Sequence, residues 1–344
     1  MSQGRREFLM QQHNELVLKV SNLKKHFPIK SSIPFKKSTQ FVKAVDGVSF
    51  ELYKGETLGI VGESGCGKST VARLINQLIS PTEGIVEFKG TDLASLNTKD
   101  IRSARKSIQM VFQNPYASLD PRKTIEYLIA EPLVIHGIGD EASRKKRVIE
   151  LLETVGLSAY HAKRHPHEFS GGQRQRINIA RALALNPDIV VCDEPVSALD
   201  VSVQAQVINL LKDLQRDFGL TYIFISHDLN VVNYMCDRIA VMYLGKIVEI
   251  GTYKEIYENP QHPYTQALLS AIPKENPFDK KDRIILSGDV PSPVNPPSGC
   301  AFHKRCRFAT DKCADVQPTL DTVTATHQVS CHLFSSIQQE VSTT

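Results

Sequence analysis

Several features that would place a chain in a membrane, outside the cell or on a nucleic acid are missing from these 344 residues. No apolar run approaches the roughly 18 residues that span a bilayer. The N-terminal stretch 1–8 lacks the apolar core of a signal peptide. The net charge of +4 is small and spread along the chain, which does not favour nucleic-acid binding. We therefore expect a cytosolic chain with no nucleic-acid partner, which reaches a membrane only through a partner protein.

Internal repeats and low-complexity tracts are also missing. Strand-like and helix-like segments alternate instead, which is typical of an α/β protein. Eight of the 18 prolines fall between Pro260 and Pro297, so the composition changes near residue 259 and favours extended chain there. Residues 28–40 form a basic insertion that we interpret as a surface loop. We predict a flexible tail at 1–15, a main domain at 16–258 and a small Pro- and Cys-rich C-terminal domain at 259–344.

A phosphate-binding pattern, G-x-x-x-x-G-K-[ST], occupies residues 62–70. The apolar run 58–61 predicts a buried strand before it, and residues 71–75 predict a helix after it. Glycines let the backbone N–H groups approach an anion. Lys68 would reach the β- and γ-phosphates, and the Ser69 hydroxyl would bind Mg²⁺. The predicted nucleotide-binding residues are Gly62, Glu63, Ser64, Gly65, Cys66, Gly67, Lys68, Ser69 and Thr70.

A second nucleotide element is an acidic pair that follows the apolar run 189–192. Such a run is typical of a central parallel strand, and ligands of open α/β sheets bind at the carboxyl ends of the strands. We predict that Asp193 holds Mg²⁺ and that Glu194 polarises the attacking water.

The segment Phe-Ser-Gly-Gly-Gln-Arg-Gln-Arg at 169–176 indicates the family. Ser170 and two glycines precede a predicted helix at 173–185, which would offer free N–H groups to an anion. The segment closely resembles the signature sequence of ATP-binding cassette (ABC) ATPases, where the first residue is usually Leu. Its Ser170 also stands 23 residues before Asp193 (193 − 170), the spacing of such cassettes. The resemblance implies nucleotide contacts from Ser170, Gly171, Gly172 and Gln173.

The other elements of that family follow in the same order over residues 20–250. Gln113 matches the Gln loop that senses Mg²⁺ and the γ-phosphate, and Asp200 lies in the Ser-Ala-Leu-Asp of the D-loop. His227 matches the switch histidine, and Phe27 matches the aromatic residue that stacks on adenine. The resemblance implies the ABC-type P-loop ATPase fold, with a RecA-like core, an antiparallel β subdomain and a helical subdomain. It also implies that Glu194, His227 and Gln113 are catalytic and that ATP and Mg²⁺ are used.

Several stretches are similar to the peptide and nickel permease branch, second-ATPase-subunit type. They include residues 112–121, 165–170, 200–207 and 262–265. The resemblance implies a subunit that hydrolyses ATP to drive import of oligo- or dipeptides, located peripherally on the cytoplasmic face of the inner membrane. Implied partners are a second, related ATPase in a heterodimer, two membrane permease subunits and, indirectly, an extracytoplasmic substrate-binding protein. The same machinery imports nickel, glutathione or other small solutes, and these cargoes stay open as alternatives.

The C-terminal segment, residues 259–344, carries four cysteines. In a cytosolic, Pro-rich stretch these favour metal binding over disulfides. The spacings lack the C-x2-C of structural zinc, and the motif at 299–306 resembles the C-terminal region of peptide-permease ATPases, some of which carry a four-iron cluster. We expect a 4Fe-4S cluster, with zinc or unligated thiols as the alternatives. The expected ligands are Cys300, Cys306, Cys313 and Cys331.

A different class of function also fits the motifs: a non-transport ABC ATPase of translation or DNA maintenance. Such proteins usually contain two fused cassettes or a long coiled-coil insertion between the phosphate loop and the signature. Only 102 residues separate Lys68 from Ser170 (170 − 68), which favours the transporter subunit.

Overall fold

The structure, a computed structural model, describes residues 15–29, 40–272 and 283–334. The predicted tail at 1–15 (apart from residue 15) and most of the predicted basic loop at 28–40 lie outside these residues. Within them the chain divides into two compact units. The first unit comprises residues 15–17, 53–57 and 95–226, and the second comprises the rest.

Strands and helices alternate along the described residues. The strands are β1 (Leu16–Pro28), β2 (Phe41–Tyr53), β3 (Thr57–Val61), β4 (Glu83–Phe88), β5 (Thr91–Asp92), β6 (Ile108–Val111), β7 (Ile189–Asp193), β8 (Thr221–Ile225), β9 (Arg238–Tyr243), β10 (Lys246–Thr252), β11 (Asp321–Thr322) and β12 (Gln328–Val329). The α-helices are α1 (Lys68–Ile75), α2 (Thr98–Ser107), α3 (Ile125–Ile135), α4 (Glu141–Thr154), α5 (Gly171–Leu183), α6 (Val201–Phe218), α7 (Leu229–Met235), α8 (Tyr253–Glu258), α9 (Pro263–Ser270) and α10 (Asp311–Asp315). None of these helices is long and apolar enough to cross a membrane.

In the first unit, three parallel strands pair in the order β6-β7-β8. Every residue of β7 and β8 is buried, as expected for strands covered on both faces. Helices α3, α4 and α5 pack against one another through buried aliphatic residues such as Leu128, Leu152 and Ile177. The side chain of Asn97 caps α2 and that of Asp140 caps α4, so these helices begin where the sequence supplies an acceptor for free N–H groups.

The second unit contains two groups of paired strands. An antiparallel sheet has the order β2-β1-β4-β5. The other strands pair in the order β11-β12-β10-β9-β3, in which β3 and β9 are parallel and the remaining pairs antiparallel. The carboxyl ends of β3 and β9 therefore lie at the same edge, where the phosphate-loop pattern follows β3.

The C-terminal segment belongs to this second unit. Its β12 pairs with β10, and its His327 forms a buried pair with Glu249 of β10, with Nε2 and Oε1 2.8 Å apart. Both side chains are almost fully buried, at 1% and 0% exposure. The Glu249 carboxylate also accepts the backbone N–H groups of Gln261 (2.6 Å) and His262 (3.1 Å). One carboxylate thus joins β10 to two later parts of the chain.

Replacing Glu249 with Ala should therefore destabilise the protein strongly. The change leaves the buried His327 ring and the backbone N–H groups of Gln261 and His262 without their acceptor. Leaving a buried polar group unsatisfied costs about 1–3 kcal/mol for each group. The measurement is the free energy of unfolding by denaturant titration. Glu141→Ala is the control, since its exposed pair with Lys145 on α4 should be worth less than about 1 kcal/mol. A Glu249→Ala protein as stable as the control would contradict this account of the C-terminal segment.

Candidate nucleotide-binding site

The predicted phosphate loop lies between β3 and α1 in the second unit. Gly62, Gly65 and Gly67 have positive φ angles of 151°, 79° and 109°, a conformation that L side chains rarely adopt. A Cβ on Gly62 would lie 2.2 Å from the carbonyl oxygen of Met242, and one on Gly67 would lie 2.1 Å from that of Ala44. The loop therefore needs glycine at these two positions for space as well as for conformation.

Lys68 begins α1 and folds back over the loop. Its ammonium group donates to the carbonyl oxygens of Gly62 (2.8 Å) and Glu63 (3.1 Å), and the residue is 5% exposed. The first N–H groups of α1 follow Gly67, which has no side chain to cap them. A buried cation beside a helix N-terminus and a glycine-lined loop matches the needs of a phosphate group.

Cys66, also in the loop, has a structural role through its main chain. Its carbonyl oxygen accepts the N–H of Gly245 (2.9 Å). Burial raises the pKa of its thiol, which keeps the sulfur protonated. The residue therefore supports the loop and has no nucleophilic character.

The acidic pair lies in the first unit, at the end of β7. Asp193 is 4% exposed. Glu194 has a φ of 46°, and its N–H donates to the carbonyl oxygen of Ile225 (3.0 Å) at the end of β8. Gln113 donates from Nε2 to Oε2 of Glu194 (2.7 Å), so two of the predicted catalytic side chains are in direct contact. A non-glycine residue held at positive φ stores strain of about 1–3 kcal/mol, which is common at functional sites.

The signature segment begins α5 in the same unit. Ser170 and Gln173 form a capping box, in which the Gln173 N–H donates to the Ser170 hydroxyl (3.3 Å) and the Ser170 N–H to the Gln173 side chain (3.0 Å). A Cβ on Gly172 would lie 2.3 Å from a Val203 methyl group on α6. The two helices therefore approach closely at the signature glycines, and Asp200 stands at the N-cap of α6.

The second unit holds the remaining predicted residues. His227 is exposed and lies directly before Asp228, whose side chain caps the N-terminus of α7. Phe27 lies in β1 with 37% of its surface exposed, and the Lys25 ammonium is 5.2 Å from its ring centroid. An exposed aromatic face is suited to stacking on a base.

The predicted site residues are thus divided between the units. The first unit holds Gln113, Ser170, Gly171, Gly172, Gln173, Asp193, Glu194 and Asp200, and the second holds Phe27, residues 62–70 and His227. The donors expected to hold Mg²⁺ are the Ser69 hydroxyl, the Asp193 carboxylate and the Gln113 amide oxygen. All are the hard oxygen ligands that Mg²⁺ prefers, so these residue types fit the ion.

Two contacts of the phosphate loop were missed by the sequence analysis. The Glu63 N–H donates to the hydroxyl of Tyr264 (2.9 Å), and the Glu63 carboxylate pairs with Arg305 (2.8 Å). Both partners lie in stretches that the sequence analysis selected for family resemblance or for cysteines, and no local pattern connects them with residue 63.

The predicted four-cysteine cluster is wrong. Among the described residues, which include all four cysteines, no group of three or more His, Cys, Asp or Glu side chains could hold a metal ion. Burial raises the pKa of the Cys300 thiol to about 11, which disfavours the thiolate that metal ligation needs. The sulfur of Cys306 accepts the Phe308 N–H, and that of Cys313 is 3.4 Å from the Thr310 hydroxyl. The described part of the chain supports neither the 4Fe-4S cluster nor the zinc alternative.

Comparisons with known proteins decide the family. Residues 45–197 match the ABC transporter family, and residues 248–313 match the oligopeptide/dipeptide transporter C-terminal region. The chain belongs to the ABC transporter family. The expected ABC-type α/β fold is confirmed, and as an ABC ATP-binding protein the chain is an ATPase that uses ATP and Mg²⁺.

The similar proteins cover nearly the whole chain. The oligopeptide transport ATP-binding protein AppF of Bacillus subtilis is 55% identical over 94% of this chain and 99% of its own length. The dipeptide transport ATP-binding protein DppF of Haemophilus influenzae is 52% identical over 92% of this chain and 97% of its own. A solved dimer of the ATP-binding cassette MJ0796, in a post-hydrolysis state with ADP and phosphate, is 32% identical with a TM-score of 0.60. That match covers 69% of this chain and 98% of the cassette.

The steric requirement for glycine predicts that alanine at two positions of the loop lowers Mg-ATP affinity by different amounts. Gly67→Ala should weaken Mg-ATP binding by more than about tenfold, because the new methyl group meets the Ala44 carbonyl in addition to the strain of positive φ. Gly65→Ala is the matched control, because its Cβ would meet nothing within 4 Å and it suffers only the strain, about 1–2 kcal/mol. Calorimetric titration with Mg-ATP measures both. Equal losses in the two variants would rule out the carbonyl contact as the cause.

Proposed function

We propose that this chain is the ATP-hydrolysing subunit that energises peptide import through a multisubunit ABC transporter. The observation that carries the proposal is the identity of 52–55% to peptide-transport ATP-binding proteins over more than nine-tenths of the chain. The match of residues 248–313 to the oligopeptide/dipeptide transporter C-terminal region supports the same branch. Nickel, glutathione or another small solute is the alternative cargo.

In the proposed mechanism the phosphate loop binds ATP. The loop N–H groups and Lys68 would hold the β- and γ-phosphates, and Phe27 would stack on adenine. Ser69, Asp193 and Gln113 would hold Mg²⁺, which would supply positive charge to offset that of the phosphate oxygens. Lys68 donates to two loop carbonyl oxygens, and phosphate oxygens would take their place as acceptors when ATP binds.

Glu194 is the proposed residue that orients and polarises water. The hydrogen bond that Gln113 donates to its carboxylate, at 2.7 Å, fixes the direction of that carboxylate. His227 completes the contacts to the γ-phosphate. Hydrolysis then removes the γ-phosphate from the groups that held it.

We further propose that the chain pairs head to tail with a second, related ATPase. Ser170, Gly171, Gly172, Gln173 and Asp200 would then face ATP held by that partner. The proposed complex also contains two membrane permease subunits, and an extracytoplasmic binding protein delivers the cargo. This places the subunit peripherally on the cytoplasmic face of the inner membrane, with an ATPase domain at 16–258 and a permease-type C-terminal region at 259–344.

A translation or DNA-maintenance ATPase is the second class of function. It has no specific observation in its favour, since the relatives named above are transport ATP-binding proteins. Loss of peptide uptake in cells that lack this chain, with protein synthesis unchanged, supports the transporter. Normal uptake with impaired protein synthesis contradicts it.

Substitution of Glu194 tests the mechanism. Glu194→Gln should keep Mg-ATP affinity and lower turnover at least about 100-fold, because the amide cannot polarise water. Lys68→Ala should weaken Mg-ATP binding itself. ATPase rates are measured on the purified complex with the partner's own site silenced. Near-normal turnover by Glu194→Gln would falsify the assignment.

Assembly is tested separately. The isolated chain should dimerise weakly and hydrolyse ATP slowly, because its signature faces the ATP of a different cassette. Sedimentation and ATPase measurements with and without the second ATPase compare the two states. A fully active homodimer that drives uptake with two membrane subunits alone contradicts the heterodimer.

A further inference from the structure

Glu63 places a carboxylate in the loop that we propose holds the phosphates of ATP. Like charges repel: at 4 Å, two unit charges interact by about 1 kcal/mol in water and about 4 kcal/mol in a partly shielded protein site. A free carboxylate in an anion-binding loop therefore opposes its ligand. A cation that pairs with it removes most of that repulsion.

Arg305 supplies this cation. Its two terminal nitrogens donate to the two oxygens of Glu63, at 2.8 and 3.1 Å, in a bidentate pair. Such a fork fixes the direction of the carboxylate as well as its charge. The Arg305 side chain is only 8% exposed, and the Glu63 side chain is 26% exposed. Water and salt screen this pair less than they screen a surface pair.

Hydrogen bonds of the Glu63 main chain connect the phosphate-binding Lys68 with the C-terminal segment. The Glu63 N–H donates to the Tyr264 hydroxyl (2.9 Å), and its carbonyl oxygen accepts from the Lys68 ammonium (3.1 Å). One loop residue therefore touches the phosphate-binding lysine on one side and two C-terminal side chains on the other. A shift of Arg305 or Tyr264 acts on the loop through Glu63.

Aromatic packing fixes the position of Arg305. Phe302, three residues earlier, is 1% exposed and packs on Tyr243 and Tyr264 with ring centroids 5.3 and 5.4 Å apart. The Tyr243 hydroxyl accepts from Arg305 at 3.5 Å. Arg305 Nε is buried with no hydrogen-bond partner among the described residues.

Stability alone is a poor explanation for this arginine. Desolvation offsets most of the attraction in a buried ion pair, and an unpaired buried donor adds a further cost. A role in positioning the Glu63 side chain of the phosphate loop accounts for a buried arginine at residue 305.

We propose that Arg305 is a positioning residue for ATP binding: it neutralises and orients Glu63, so that the phosphate loop accepts ATP when the C-terminal segment is docked. The inference rests on the proposed function, since it requires that the loop binds ATP. It adds a role for the C-terminal segment in nucleotide affinity.

The test is titration of the full-length chain with Mg-ATP. Arg305→Gln should weaken binding about tenfold, because Glu63 then carries an unpaired negative charge in the phosphate loop. The double variant Glu63→Gln/Arg305→Gln should recover to within about threefold of wild type, because the repelling charge is gone. Arg307→Gln is the matched control: it removes an exposed arginine from the same segment and should bind as wild type.

Two results would overturn the proposal. They are wild-type affinity in Arg305→Gln and a double variant as weak as Arg305→Gln. Arg305→Lys covers the case in which Arg305→Gln does not fold. It keeps the charge and loses only the bidentate contact, so its loss of affinity should be smaller than the about tenfold loss expected when the charge is removed. A folded Arg305→Lys protein that loses tenfold or more therefore also counts against the proposal. If wild type does not bind Mg-ATP, or Lys68→Ala binds equally well, the proposed function fails instead, which separates the two hypotheses.

Discussion

The phosphate loop depends on a steric constraint between backbone atoms. The carbonyl groups of Ala44 in β2 and Met242 in β9 occupy the positions where side chains would begin on Gly67 and Gly62. The loop can therefore lie against both strands only because it has no Cβ there. The start of α1 and the place of Lys68 follow from this fit, since the helix begins directly after Gly67. The groups that would meet a phosphate are thus fixed by main-chain contacts, which leaves the intervening side chains free to make other contacts.

Local patterns in the sequence predicted most of the site elements. The loop between a buried strand and a helix, the acidic pair after β7 and the helix after Ser170 each depend on residues within about ten positions of one another. That helix was predicted at 173–185 and lies at Gly171–Leu183, because Ser170 caps it and the two signature glycines form its first turn. Such features follow from turn chemistry, capping and apolar periodicity, which act over short stretches. Gln113 and Glu194 are in contact although 81 positions separate them in the sequence. The family resemblance suggested only that both residues act at the same phosphate.

Long-range pairs could not be predicted in this way. Arg305 and Glu63 are 242 positions apart, and His327 and Glu249 are 78 apart. Each residue alone looks like an ordinary charged side chain, and only the fold brings the partners together. The cysteine prediction was wrong for a related reason. Spacing and context made four thiols look like ligands, whereas ligation also needs thiolates and convergent geometry, which a sequence does not reveal.

The two short strands of the C-terminal segment have a consequence beyond the second unit's own packing. Without β12, the main-chain N–H and C=O groups on one side of β10 would form an open sheet edge, which is a template for pairing with strands of other chains. The two-residue strand β12 pairs with Glu249 and Ile250 on that edge, and the equally short β11 pairs with β12. Short strands of this kind blunt a sheet edge and make pairing with strands of other chains less favourable.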